Sequence, residues 1–131
     1  MVSFEGFAPS GEGPIYAQLV MYIKRSAVSG AIPDGDELPS RRVVSALLGI
    51  NPNTVQRAYR MLEDEGLCFS RPGAKSRMLL SPERLELLRA ELRQDEAARL
   101  VRALKQTGVG KERALALIEE LWDREDESNE E

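Results

Sequence analysis

The 131-residue sequence contains no histidine and a single cysteine, Cys68. These two shortages exclude the usual zinc ligand sets, a Ser–His–Asp or Cys–His nucleophile, and an imidazole general base. A lone cysteine cannot form an internal disulfide, which fits a reducing cytoplasm. Aromatic residues make up only 5% of the chain, so the core is expected to be aliphatic and helical. No run approaches the roughly 18 apolar residues that a membrane-spanning helix needs. The opening "MVSFEGFAPSGEG" has neither a basic nor an apolar leader segment, so no secretory signal is expected. Carboxylates are plentiful, but they gather in "LEDEG" and near the C-terminus, where solvated helix faces and ends account for them. An enzyme is not expected, and no metal or cofactor site emerges.

What is present suffices for one modest domain, or a small domain with an appendage, since 42% of the residues are apolar. The formal net charge of −4 is unevenly spread. Residues 1–80 carry nine basic and eight acidic side chains, and residues 81–131 carry nine and fourteen. Between residues 41 and 77 the balance is +4, from Arg41, Arg42, Arg57, Arg60, Arg71, Lys75 and Arg77 against Glu63, Asp64 and Glu65. A mildly acidic protein with a local basic face is compatible with binding DNA.

The stretch "GINPNTVQRAYRMLEDEG" supplies the sharpest pattern. Asn51 is a good N-cap, Pro52 suits the first helical position because it has no N–H to leave unpaired, and Gly66 is a stop. Val55, Ala58, Tyr59 and Leu62 recur at i, i+3, i+4, i+7 as a buried stripe. Asn53, Thr54, Gln56, Arg57 and Arg60 are left facing outward. Upstream, Ser40 caps a short helix to Leu48 that is expected to bury Val44, Leu47 and Leu48, and Gly49 ends it. Two helices joined by so short a turn form a helix-turn-helix.

Around this pair, residues 1–13 read as a flexible or loosely docked arm, with Phe4 and Phe7 expected to pack against the domain rather than to serve a function. From Pro14 a helix is marked by Ile15, Leu19, Ile23 and Ala27 and stopped by Gly30. Leu67–Ser70 and Arg77–Leu80 flank the basic turn "RPGAKS" and read as a small hairpin, a wing. Ser81 and Pro82 open a long helix to about Thr107, and Lys111–Trp122 forms a last one. Residues 123–131 read as a disordered acidic tail. The fold class is therefore mainly α: a winged helix-turn-helix over 14–80, with three helices and a small β-hairpin, followed by two helices over 81–122.

With these residues laid out, the chain resembles the GntR family of bacterial winged helix-turn-helix repressors. The likeness runs through "PIYAQL" (14–19), "SGAIPDGDELPSRRVVSALLGINPNTVQRAYRMLEDEGL" (29–67) and "SRPGAKS" (70–76). The short two-helix tail resembles the YtrA subfamily, whose tail mainly dimerises the protein and whose members are often encoded beside ABC-type transporters. The resemblance implies that Ser40 and Arg42 of the LPSxR motif face DNA, and that Asn51, Asn53, Thr54, Gln56 and Arg57 enter the major groove. Gly73 matches the wing glycine. After it, the family's usual Gly-x-Gly-Thr-Phe is replaced by Gly73-Ala74-Lys75-Ser76-Arg77, which adds two cations.

In chemical terms, Arg57 can donate two bonds to a guanine edge, and Asn53 or Gln56 can pair with adenine. Arg41, Arg60, Arg71 and Lys75 suit phosphates, which position a protein without selecting sequence. Leu85, Leu88, Leu92, Leu100, Leu104, Leu115, Ile118, Leu121 and Trp122 make stripes that two helices alone cannot bury. A homodimer through them would read a palindromic operator in double-stranded DNA. Repression is the simplest expected outcome for a short chain with no visible activation domain. Two other classes stay open: a winged helix that binds an acidic protein partner, and a sensor that encloses a small apolar ligand between the C-terminal helices.

Overall fold

The first helix, α1 (Ile15–Val28), buries Leu19, Val20, Ile23 and Ala27 on one side. Pro14 offers no side-chain cap, and Gln18 instead fastens the preceding loop to the helix. Its amide donates to the carbonyls of Ser10 and Gly13, both at 2.9 Å, and its oxygen accepts from the Ser10 N–H at 2.8 Å. The computed structural model describes residues 1–129, with side chains to residue 126.

The helix pair forms for the local reasons the sequence supplies. α2 (Arg41–Leu48) is capped by the Ser40 hydroxyl, which accepts from the Val43 N–H at 3.2 Å. Gly49 ends it at φ 67°, a left-handed conformation costly to any residue with a Cβ. α3 (Pro52–Asp64) begins with the Asn51 carboxamide accepting from the Asn53 N–H at 2.8 Å. The Ser45 hydroxyl donates to the Ile50 carbonyl and fixes the turn between the two helices. α3 packs on α1 and α2, with Val55, Ala58 and Leu62 fully buried.

The wing is shorter than expected: β1 (Cys68–Phe69) pairs antiparallel with β2 (Arg77–Met78), Cys68 opposite Met78 and Phe69 opposite Arg77. It also has a third participant. Residues 35–38 lie along the other edge of β2, with Gly35 N–H donating to Met78, Met78 to Asp36 and Leu38 to Ser76, each at 2.9 Å. A single bridge joins Glu37 to Arg77 in the same register. The edge that a two-stranded hairpin would leave open is thus paired.

α4 (Pro82–Gln106) and α5 (Lys111–Asn129) complete the chain. The chain divides into two compact units, Met1–Glu91 and the part from Leu92 onward, so the opening turns of α4 belong to the first. There Leu88 is buried, the Arg84 guanidinium donates to the Gly66 carbonyl, and Lys24, itself buried, pairs with Glu65 at 3.0 Å and Glu91 at 3.4 Å.

Three expectations are corrected. The arm is docked firmly at its start rather than loosely or flexibly, with Phe4 packed as expected: Val2 and Phe4 are buried, and the Val2 N–H donates to the Glu37 carbonyl at 2.8 Å. Tyr22 gathers Phe4 and Phe7 around its ring and donates its hydroxyl to the Ser3 carbonyl. Leu47 is exposed together with Val43, because a helix of two turns meets α3 along the line of Val44 and turns its other side outward. The tail from Asp123 does not unravel, and α5 continues to Asn129. No glycine or proline interrupts it, and Arg124 pairs with Glu120 one turn back at 2.9 Å. Residues 130 and 131 of the expected tail lie outside the described residues.

Candidate nucleic-acid interface

Three segments, the start of α2, the outer face of α3 and the wing turn, meet at one cleft that takes in Arg41 and Lys75 but not Arg42, Arg57, Arg60 or Arg71. Ser40 and Arg41 from the first, Gln56 from the second, and Gly73 and Lys75 from the third line one cleft of about 340 Å³. Its floor includes Tyr59, whose hydroxyl donates to the Pro39 carbonyl at 2.7 Å and ties α3 to the loop before α2. Burial pushes the Tyr59 phenol well above its usual range, with Cys68 nearby adding to the effect, so it stays a proton donor. Burial also pushes the Cys68 thiol up, to about 11, and Glu63 adds to it. Cys68 is therefore a protonated core side chain at neutral pH and not a nucleophile.

The outward residues of α3 fall as the periodicity predicts, with Asn53, Gln56, Arg57 and Arg60 exposed and Thr54 half-buried. Asn51 is exposed as well, and its side-chain oxygen also accepts the helix-capping hydrogen bond. Arg41, Arg42 and Arg60 are exposed and have no ion-pair partner among the described residues. Arg57 lies over the ring of Tyr16, its guanidinium carbon 3.8 Å from the ring centre. Arg71 lies over Phe69 at 5.5 Å.

At the wing tip the Ala74 N–H donates to the Arg71 carbonyl at 3.0 Å, closing a turn with Pro72 second and Gly73 third at φ 75°. That is the type II arrangement, which demands a residue tolerant of positive φ in third place. The two added cations divide in function. Arg77, itself exposed, commits its guanidinium to the protein's own acceptors, Glu37 at 2.8 Å and the Gly35 carbonyl at 3.0 Å. Lys75, equally exposed, reaches the same Glu37 only at 3.7 Å. Glu37 and Tyr16 are the residues that sequence reasoning missed. "GDELP" and "PIYAQL" contain them, but their partners lie far along the chain.

The C-terminal candidates separate by unit. In the first, Leu88 is buried in the domain itself and Leu85 is half-buried, so Leu88 offers nothing to a partner. In the second, Leu92 is buried, Leu104 and Ile118 are half-buried, and Leu100, Leu115, Leu121 and Trp122 are exposed.

Comparison with known proteins follows the same residues. Residues 15–77 match the bacterial regulatory proteins of the gntR family. The uncharacterized HTH-type transcriptional regulator YhcF of Bacillus subtilis is 31% identical over 102 residues, which cover 78% of this chain and 84% of YhcF. The chain belongs to the GntR family. The HTH-type transcriptional repressor YtrA of Bacillus subtilis is 41% identical over 59 residues, 45% of each chain, so the likeness spans less than half of YtrA. A solved GntR-family transcriptional regulator from Listeria monocytogenes superposes with a TM-score of 0.74 at 28% identity, over 86% of this chain and 98% of that one. This GntR-family member is accordingly a transcriptional regulator with a DNA-binding winged helix-turn-helix, and the family is not enzymatic. Among the described residues no helix is long and apolar enough to cross a membrane.

Proposed function

We propose that this GntR-family regulator is a repressor that acts in the cytoplasm and binds a palindromic operator as a homodimer. The observation that carries the reading is the convergence of α2, α3 and the wing on one cleft lined by Arg41, Gln56 and Lys75, with Asn53, Arg57 and Arg60 exposed on the same α3. The first turns of α3 suit the major groove, where Asn53, Gln56 and Arg57 would meet base edges. Arg41, Arg42, Arg60, Arg71 and Lys75 would lie on phosphates, and the two-fold axis would run through Leu100, Leu104, Leu115, Ile118, Leu121 and Trp122. Repression is supported by the likeness to the Bacillus subtilis repressor YtrA. The resemblance to the YtrA group makes a transporter operon the expected target.

Selection from a random duplex pool at moderate salt, for wild type and Arg57→Ala, tests the reading. An enriched inverted repeat is expected, with half-sites about one helical turn or a multiple apart. Arg57→Ala should blur one position in each half, with a loss of roughly 1–3 kcal/mol of discrimination there. Salt-sensitive binding that is equal on every sequence would leave phosphate contact alone and favour a protein partner for the basic face.

A further inference from the structure

We infer that Tyr16, on the first turn of α1, is the positioning residue that presets Arg57 for reading a base. The inference rests on the reading of α3 as the helix that enters the groove. The two residues are distant in sequence and meet because α1 packs on α3. Tyr16 is half-buried and Arg57 is exposed, so the ring belongs to the folded body and the guanidinium to the surface. At 3.8 Å from the ring centre, the guanidinium carbon is in van der Waals contact with the electron-rich face.

The chemistry of this contact suits a reader. A guanidinium makes its hydrogen bonds in its own plane, through five N–H groups. A ring against the guanidinium's face, the arrangement that a 3.8 Å separation favours, consumes none of them. Arg77 shows the opposite arrangement, with donors already committed to Glu37 and the Gly35 carbonyl. Arg57 has no ion-pair partner among the described residues, so the ring holds the charge while every donor stays available. A long side chain that must choose one rotamer on binding pays for that choice in lost freedom. Stacking on Tyr16 makes the choice before DNA arrives, and it makes it for Arg57 rather than for Gln56 or Asn53.

The test separates the ring's face from its bulk. In the full chain, Tyr16→Phe keeps the ring, while pentafluorophenylalanine at position 16 keeps a similar shape but withdraws the electron density that attracts a cation. Each is measured for binding to the random duplex pool and for thermal unfolding, with and without Arg57→Ala. Tyr16→Phe is expected to leave the base preference within about two-fold, and the fluorinated ring to reduce it about three- to ten-fold. The reduction should fall at the position that Arg57→Ala blurs, with unchanged thermal stability. It should vanish in the Arg57→Ala background. A fluorinated variant with the wild-type preference overturns the positioning role even where Arg57→Ala blurs its base. An Arg57→Ala variant that weakens all sequences alike overturns the base reading itself, and the positioning role with it.

Discussion

The two units of the chain use similar helical patterns to opposite ends. In Met1–Glu91, Ile23, Val55, Ala58 and Leu62 are completely buried, and each helix of the winged domain finds its apolar partner within the same unit. From Leu92 onward, Leu115 is 55% exposed, Leu121 48% and Trp122 70%. Both units show leucines at helical spacing, so the pattern alone does not distinguish a core from an interface. What distinguishes them is whether the chain itself supplies the opposing surface. Leu115, Leu121 and Trp122 find no such surface within their unit, and under the proposed homodimer a second copy would supply it.

The largest effect should come from breaking the first unit's side of this contrast. Leu62 is fully buried on α3, the helix that carries the candidate readers. Leu62→Ala is expected to cost about 2–5 kcal/mol in urea unfolding, through lost transfer energy and the cavity left behind. That is a large fraction of the roughly 5–15 kcal/mol that holds a domain folded. A cost below about 1 kcal/mol would mean that the α1–α3 core can collapse around the gap.

The second unit should behave differently. Leu115→Lys with Trp122→Lys removes exposed apolar surface and leaves the core of Met1–Glu91 untouched. Under the proposed homodimer, sedimentation should shift from dimer to monomer while the unfolding of the winged domain stays put. Operator affinity should fall by about a hundred-fold, because two half-sites no longer bind as one linked event. A monomeric wild type, or a variant that remains dimeric, would assign this surface to another partner.

The same contrast explains what could be read from the sequence. The three helices of the winged domain were legible because their determinants are local: Ser40 and Asn51 cap, Pro52 starts, Gly49 and Gly66 stop, and the apolar spacing points each helix inward. The outward set on α3 was legible for the same reason. What escaped depends on residues far apart in the chain. The packing of Phe4 and Phe7 was legible but not their partner Tyr22, the third edge of the wing needs residues 35–38, and the placement of Arg57 needs Tyr16. Leu47 carried the right residue type for burial, but α2 is too short to bury two faces. The acidity of α5 past Trp122 suggested disorder, whereas helix formers with an i,i+4 pair continue the helix. The division of labour between Lys75 and Arg77 was equally hidden, since it is set by Glu37.

Glu37 also provides the finest adjustment. Its carboxylate lies between Arg77, which holds β2 in place, and Lys75, which is exposed at the wing tip. Glu37→Gln removes one negative charge from the wing, while the amide oxygen can still accept from Arg77 and preserve the local pairing. If the wing lies on the DNA backbone, Lys75 then has no carboxylate competing for it. Binding to random duplex at about 0.1 M salt should tighten a few-fold, and the slope of log K against log salt should steepen by about 0.9 for one additional phosphate neutralised. The selected sequence should not change, because phosphate contacts carry no base information. A steeper slope with an unaltered motif would place Lys75 on phosphate and leave base selection to α3. An unchanged slope would keep the wing off the backbone, so that the cleft is closed on DNA by α2 and α3 alone.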